Sequence, residues 1–229
     1  MSNIYNIKKE LSNAHKKDNP SKFFKTCKGD YAYGDIFLGV SIPDQRRIAK
    51  KYLDLDLLSI NTLIKSPIHE ERSMALIILV NKFNKFDIKM KENIYNFYLS
   101  YINYINNWDL VDMSAEYILG NWLYDKDQSV LENLALSDNL WERRIAIVST
   151  HYSIRRKKYE YTFRIAKILI NDREDLVQKA LGWMLREVGK YCSQDIEEEF
   201  LEKYYKDMSR VSLRYATERF PEDKRVQYL

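Results

Sequence analysis

The stretch NWDLVDMSAEYILGNWL at residues 107–123 indicates the fold class most clearly. On a helix with about 100° per residue, its apolar side chains fall into one sector, whereas Asp109 and Glu116 face away. The members of this sector are Trp108, Val111, Ala115, Ile118, Leu119, Trp122 and Leu123. The stretch therefore predicts an α-helix with one buried face around a small central residue.

Four further segments, at residues 71–80, 141–150, 176–190 and 211–220, repeat this arrangement of apolar positions around a small residue. The central residues of the five segments are Ala75, Ala115, Ala146, Ala180 and Ala216, at spacings of 40, 31, 34 and 36 residues. Such spacings are typical of two-helix repeats, which bury their faces by stacking on their neighbours. We expect an all-α fold of HEAT-like repeats, stacked into a curved α-solenoid with a concave basic DNA-binding face, in one domain over residues 1–229.

The composition agrees with helices, since six Gly and four Pro in 229 residues leave too few turn-forming residues for an all-β fold. Residues 28–43 are the part richest in Gly, with Gly29, Gly34 and Gly39. We expect a structured loop there, which ends where Pro43 starts a helix over residues 44–52.

The charge is unevenly distributed along the chain. The formal net charge is +4, yet residues 141–190 hold 12 Lys and Arg against 6 Asp and Glu, so this region alone carries +6. A local excess of positive charge is typical of a surface that binds a polyanion.

Several other classes of protein are disfavoured. Cys27 and Cys192 form no CxxC motif, and no apolar signal segment is visible, so we expect a reduced, cytoplasmic protein that associates with the nucleoid when bound to DNA. The longest apolar run is far shorter than the roughly 20 residues that span a bilayer, which predicts no membrane contact. The three histidines lack metal-ligand spacing and the glycines form neither GxGxxG nor a P-loop, so we expect no metal and no cofactor.

Two charged residues are predicted in apolar sectors. Asp112 falls inside the sector of the 107–123 helix, where a carboxylate loses hydration unless a partner or ligand compensates, and this makes it a candidate functional acid. Arg144 falls inside the apolar sector of residues 140–151, with Arg143 at its edge, and a buried arginine either pairs with a carboxylate or reaches a phosphate. A structural pair between Arg144 and Asp112 is the alternative for both residues.

A tryptophan and a group of basic residues lie farther along the chain. Trp183 sits at the margin of the apolar face of residues 175–190, beside Lys179, Arg186 and Lys190. A large aromatic side chain on a basic helical face suits contact with nucleic acid, although packing at the rim of the core is the alternative. The run Arg155, Arg156, Lys157 and Lys158 suits phosphate contacts or is a solvated turn.

These segments also resemble a known family. The stretches GDIFLGVSIPDQRRIAKKY (34–52), NNWDLVDMSAEYILGNWL (106–123), LWERRIAIVST (140–150), QKALGWMLREVGK (178–190) and LRYATERF (213–220) are similar to the AlkD-like DNA alkylation repair glycosylases. The resemblance implies a DNA glycosylase that hydrolyses the N-glycosidic bond of N3- and N7-alkylated purines, such as 3-methyladenine and 7-methylguanine, in duplex DNA without base flipping. The family's catalytic aspartate falls on Asp112, its paired tryptophans on Trp108 and Trp183, and its arginine on Arg144.

Two other functions remain open. One is a non-catalytic relative that binds DNA through the same repeats, and the other is a HEAT-like scaffold whose basic region binds an acidic protein. The presence of all four site residues favours the enzyme over the first alternative. We expect duplex DNA containing alkylated purines as the partner and a monomer as the active form, while the preferred lesion is left undetermined.

Overall fold

Helices form nearly all of the regular structure in a computed structural model that describes residues 2–15 and 24–229. An isolated parallel β-bridge joins Ile36 to Ile68, and no strand occurs among the described residues. The prediction of an all-α fold is therefore confirmed. The described part of the chain contains no helix that is both long and apolar enough to cross a membrane.

The chain divides into two compact units, Met1–Ser114 and Ala115–Leu229, and the division falls inside a helix. The single domain over residues 1–229 stays a prediction. In the first unit the helices are α1 (Ser2–Asn13), α2 (Ile42–Ala49), α3 (Leu57–Ile64), α4 (His69–Lys85), α5 (Ile88–Ser100) and the start of α6 (Trp108–Ala115). Helix α4 is central to this unit and packs against α1, α2, α3 and α5.

The second unit begins at the last residue of α6, after which the helix widens into a π segment, Glu116–Gly120. Its other helices are α7 (Asn121–Leu123), α8 (Ser129–Ala135), α9 (Leu140–Ser149), α10 (His151–Ile154), α11 (Glu160–Leu169), α12 (Asp175–Tyr191), α13 (Gln194–Tyr204), α14 (Arg210–Ala216) and α15 (Glu222–Tyr228). Helix α12 is central here and packs against α9, α11, α13 and α14.

The five alanines that define the sequence period lie in the core. Ala75, Ala115, Ala146, Ala180 and Ala216 are all fully buried. In chain order, these alanines lie on the helices α4, α6, α9, α12 and α14. The spacing of small residues therefore located the buried face of each helix correctly, because a position that contacts a neighbouring helix closely admits only a small side chain.

Residues 28–41 form the predicted loop, and Gly29, Gly34 and Gly39 all adopt positive φ angles. The following helix begins at Ile42, two residues earlier than predicted, since Ser41 caps it by accepting a hydrogen bond from the amide of Asp44. Pro43 lies in the first turn, where its missing N–H costs nothing. The loop is fixed to the start of α4, because the Glu70 carboxylate accepts the N–H groups of Leu38 and Gly39.

Candidate functional site

Trp108 and Asp112, two of the four predicted site residues, lie one turn apart on α6 in the first unit. Helix α6 begins at Trp108, whose amide donates a 2.8 Å hydrogen bond to the side chain of buried Asn107. The indole N–H of Trp108 donates to the Tyr31 hydroxyl at 3.2 Å, and the Phe24 ring lies 5.6 Å away. The indole is thus held by aromatic residues near the loop while part of its surface stays accessible.

Asp112 is partly exposed, whereas its helix neighbours Val111 and Ala115 are fully buried. The phenol of Tyr98, which is buried, donates to or accepts from the Ser114 hydroxyl at 3.0 Å. Burial raises the pKa of Tyr98, and the charge of Asp112 raises it further against the hydrogen bond to Ser114. Asp112 is therefore close enough for its charge to raise the pKa of the buried Tyr98 phenol, while part of its own surface is exposed.

A buried histidine lies beside the Trp108 cluster. The His69 ring stacks on Phe37 at 4.8 Å and contacts Phe24 at 5.1 Å. Its Nε2 is 2.8 Å from the Asp109 carboxylate, and its Nδ1 is 3.9 Å from Asp35, which is an ion-pair distance and not a hydrogen bond. Burial lowers the pKa of His69, but the hydrogen bond to Asp109 and the contact with Asp35 outweigh it and raise the pKa to about 9. His69 is an imidazolium at neutral pH.

Arg144 and Trp183 belong to the second unit. Arg144 is 5% exposed and donates to the backbone carbonyl of Leu176, in the first turn of α12, so it ties α9 to the helix that carries Trp183. Trp183 is partly exposed between the fully buried Met184 and the buried Gly182. A Cβ atom at position 182 would overlap the carbonyl oxygen of Ser212, so this glycine allows the close approach of α12 to α14.

His151 contacts Trp183, with 5.7 Å between the ring centroids. Its Nδ1 is 2.8 Å from Glu116 and its Nε2 is 3.7 Å from Glu187. Burial lowers the pKa of His151, but the two carboxylates raise it more, above the ordinary value. Burial likewise opposes ionisation of Glu187, yet His151, Lys190 and Arg186 bring its pKa down to about 2. The charges of His151 and Glu187 therefore favour the ionised form of each other.

The two histidine clusters were missed by sequence reasoning, which placed Asp109 and Glu116 on the side away from the apolar sector. Glu116 is nevertheless only 5% exposed, because the side of the helix on which it lies contacts His151 and Arg155. Each histidine bonds a carboxylate that is distant in sequence, by 40 residues for His69 and 35 for His151. No short motif signals such pairs.

Most of the predicted DNA-contacting cations are paired with carboxylates inside their own unit. Arg143 binds Asp172, Arg155 binds Glu116, Lys158 binds Asp125, Lys179 binds Asp175, Arg186 binds Glu187 and Glu218, and Lys190 binds Glu187. Arg156 lies over the Tyr152 ring at 3.4 Å, and exposed Lys157 adopts a positive φ. The local charge of +6 is thus partly neutralised, and whether these residues contact DNA stays a prediction.

A small cavity of about 180 Å³ lies where the end of α12 meets α13. Its lining includes Arg186 and Lys190, together with Arg219 and Glu197, which sequence reasoning did not single out. Among the residues that the structure describes, no group of three or more His, Cys, Asp or Glu side chains is placed to hold a metal ion.

Comparisons with known proteins agree with this architecture. The sequence model of a family described as "DNA alkylation repair enzyme" matches residues 9–220, whereas no curated protein matches the chain. A structure titled "Predicted DNA alkylation repair enzyme from Enterococcus faecalis" aligns with a TM-score of 0.66 and 17% identity, over 84% of this chain and 92% of that one.

Two structures from Streptococcus mutans are also similar. AlkD2 aligns with a TM-score of 0.60 and 16% identity, over 94% of this chain and 99% of its own. The protein smu.31, from strain UA159, aligns with a TM-score of 0.57 and 17% identity, over 79% of this chain and 93% of its own. At such low identity these similarities support the helical fold.

Proposed function

Because the chain belongs to the DNA alkylation repair enzyme family, we propose that it is a DNA glycosylase that hydrolyses the N-glycosidic bond of N3- and N7-alkylated purines in duplex DNA. The observation that carries this proposal is that a partly exposed aspartate, Asp112, lies one helical turn from an anchored, partly exposed indole, Trp108. A carboxylate with an aromatic face beside it suits a reaction in which positive charge develops on a sugar.

One carboxylate is sufficient for this reaction, because the leaving base needs no general acid. An N3- or N7-alkylated purine carries a positive charge, so it leaves with the electron pair of the broken C1′–N bond and becomes neutral without a general acid. The oxygen of water then bonds to C1′, and a proton of that water passes to Asp112. Asp112 also stabilises the oxocarbenium-like sugar by its charge, which acts more strongly in a poorly hydrated site.

The other predicted site residues act on the same substrate. Trp108 and Trp183 pack against the lesion's deoxyribose and backbone, where their ring faces favour developing positive charge. Arg144 holds a phosphate near the lesion through its planar fork of donors. With the sugar recognised in this way, the alkylated base need not be flipped into a pocket, in contrast to most glycosylases.

Incubation of the purified protein with duplex DNA containing 7-methylguanine tests the proposal through the amount of free base released. The wild type should release the base well above the spontaneous rate, and Asp112→Asn should lower the single-turnover rate by about 100-fold or more. Asp207→Asn makes the same chemical change at an exposed position between α13 and α14 and should leave the rate unchanged. Release by the wild type at only the spontaneous rate would refute the glycosylase activity, and an Asp112→Asn protein as active as the wild type would refute the role of Asp112.

The alternatives are a non-catalytic relative that binds DNA and a HEAT-like scaffold that binds an acidic protein, and the pairing of the cations bears on both. Each carboxylate that already binds Arg143, Arg155 or Lys179 must be displaced, or must share its cation, before a phosphate binds there. Duplex binding that depends on salt, without release of base from any alkylated duplex, would support a DNA-binding relative. Binding that is insensitive to salt would favour the protein scaffold.

A further inference from the structure

Each of the two predicted site tryptophans has a histidine nearby that lies between two carboxylates. In the first unit His69 contacts Asp109, the residue that follows Trp108 on α6. In the second unit His151 contacts Glu187, one turn after Trp183 on α12. The same arrangement therefore occurs twice, with different residues, and each time one carboxylate belongs to the helix of the tryptophan.

The first arrangement, which we call the His69 clamp, consists of His69, Asp35, Asp109 and Arg72. The side chain of His69 is 3% exposed, and those of Asp35 and Asp109 are 10% and 13% exposed. Arg72 binds the other oxygen of Asp35 at 2.9 Å. Phe24 lies between His69 and Trp108, at 5.1 Å from one ring and 5.6 Å from the other. The clamp is thus connected to Trp108 in two ways: Asp109 is the next residue on α6, and the Phe24 ring contacts both His69 and the indole.

The second arrangement, the His151 clamp, consists of His151, Glu116, Glu187, Arg155, Arg186 and Lys190. Arg155 binds the second oxygen of Glu116 at 3.1 Å, while Arg186 and Lys190 bind Glu187 at 3.2 and 3.5 Å. The His151 ring contacts the Trp183 ring directly and lies 6.1 Å from the ring of Tyr191. Glu187 and Trp183 are four residues apart and so lie on one side of α12.

The charge on each imidazole holds its clamp together. A neutral imidazole donates from only one nitrogen, so one of the two flanking carboxylates would face a lone pair instead of an N–H group. Only the imidazolium carries an N–H group on both nitrogens, and the neighbouring carboxylates raise the pKa of both histidines, to about 9 for His69. Such buried ionic contacts fix geometry more than they add stability.

We propose that His69 and His151 are positioning residues: each imidazolium holds the helical turn and aromatic neighbours of one tryptophan, so that Trp108 and Trp183 keep one orientation before DNA binds. The structural part of this inference stands on the contacts of the clamps, whereas its consequence for base excision rests on the proposed function. The two parts are separated by measuring the indoles in the DNA-free protein and excision in a second assay.

Fluorine NMR of protein labelled with 5-fluorotryptophan reports the four tryptophans individually, since each Trp→Phe variant assigns one resonance. Replacing a histidine or a carboxylate changes the field at a nearby indole even if nothing moves, so the decisive readout is the line width and not the shift. Asp109→Asn should broaden the Trp108 resonance, and Glu187→Gln should broaden that of Trp183, with the line widths of Trp122 and Trp141 unchanged. Unchanged line widths for Trp108 and Trp183 in these variants would refute the clamps.

The pH dependence of the Trp108 resonance gives a second readout, which uses the wild type and so does not require a folded variant. The imidazolium clamp is intact below the folded pKa of the histidine and is lost as the pH rises through it. In the wild type the Trp108 resonance should stay constant through neutral pH and move as the pH passes about 9. The third histidine, His15, lies outside both clamps, so His15→Gln should leave this titration and all four resonances unchanged. A Trp108 resonance that stays constant beyond that pH would refute the His69 clamp.

Excision decides whether the positions matter for the reaction. With enzyme in excess over DNA, Glu187→Gln and Asp109→Asn should lower the single-turnover rate about tenfold while the Kd for duplex DNA changes little, as expected for lost alignment. Variants that broaden the resonance of Trp108 or Trp183 but keep the single-turnover rate within about twofold of the wild-type rate would refute the positioning role. If the wild type releases no base, the proposed function fails, and the fluorine spectra still decide whether the clamps hold the tryptophans.

Discussion

Arg143 and Asp172 form a bidentate ion pair, in which Nε and Nη2 of the guanidinium donate to the two carboxylate oxygens at 2.6 and 3.3 Å. The remaining terminal nitrogen of Arg143 donates to the carbonyls of Ser137 and Asp138 at 2.9 Å each. Arg144, the next residue, donates to the backbone carbonyl of Leu176. The sequence left open which of the two arginines contacts a phosphate, and a phosphate that binds Arg143 must first displace Asp172 or share its cation.

Replacing the two arginines separately should produce different salt dependences. Arg144→Ala should weaken duplex binding and flatten the plot of log affinity against log salt by about one counterion, because one phosphate contact is lost. Arg143→Ala should leave this slope unchanged and instead lower the melting temperature, since it leaves the nearly buried Asp172 without its partner. Fluorescence anisotropy with a labelled duplex between roughly 50 and 200 mM salt measures both slopes. Equal flattening by both variants would show that Arg143 also binds phosphate.

The helices and their buried faces could be predicted because periodicity is a local property of the sequence. Ala75, Ala115, Ala146, Ala180 and Ala216 mark the centres of five buried faces, and all five are fully buried in the fold. The positions of Trp108, Asp112, Arg144 and Trp183 on helices α6, α9 and α12 follow from the same pattern. Their chemical roles came from family resemblance and stay predictions.

The partners of the charged side chains could not be predicted, since they come from elements that are distant in sequence. His69 on α4 contacts Asp35 in the loop and Asp109 on α6, and no repeat or spacing relates these three residues. The same holds for three carboxylates outside residues 141–190, since Glu116 pairs with Arg155, Asp125 with Lys158 and Glu218 with Arg186. A count of charges along the chain therefore overstated the free positive charge of residues 141–190.

The His69 clamp should make the stability of the protein depend on pH in one direction. The pKa of His69 is raised in the folded state, so its contribution is fully present below the unfolded value of about 6.5 and is lost as the pH rises to about 9. We expect His69→Gln to lower the free energy of unfolding at pH 6 by on the order of 1–3 kcal/mol more than at pH 9. Urea denaturation at the two pH values measures the difference.

His15→Gln is the matched control for this experiment, because it removes an exposed imidazole that lies outside the clamp. The control should change stability equally little at both pH values. A His69→Gln protein with the same loss of stability at pH 6 and pH 9 would mean that the charge of His69 contributes nothing.

Glu197 should destabilise the protein at neutral pH, and its replacement should reverse this effect. Burial, then the charges of Glu198 and Glu187, raise the pKa of Glu197 to about 9, against the opposing charge of Arg186. The carboxyl is thus neutral in the folded protein at pH 7 but ionised in the unfolded chain, so stability is lost as the pH rises from about 4.5 to 9. Glu197→Gln should raise the free energy of unfolding at pH 7 by on the order of 1–3 kcal/mol.

The effect of Glu197→Gln should shrink as the pH falls towards 4.5 and disappear well below that pH, where the wild-type carboxyl is neutral in both states. Glu199→Gln changes an exposed carboxylate on the same helix and should alter the free energy of unfolding little at either pH. Denaturant unfolding at pH 5 and pH 7 separates these expectations. A Glu197→Gln protein that is less stable than the wild type at pH 7 would indicate that the ionised carboxylate makes a favourable contact in the fold.

Gly182→Ala should destabilise the second unit, although glycine to alanine inside a helix ordinarily stabilises by about 1 kcal/mol. The added Cβ atom would overlap the backbone carbonyl of Ser212 and approach the Cβ atom of Tyr215, and a backbone atom cannot rotate out of the way. Helix α12 must therefore move away from α14, at a cost of about 1–3 kcal/mol in the free energy of unfolding. Trp183 is the next residue, so base excision should fall together with stability. Gly34→Ala, where the new methyl group meets open space, should cost only the strain of a positive φ and leave excision unchanged.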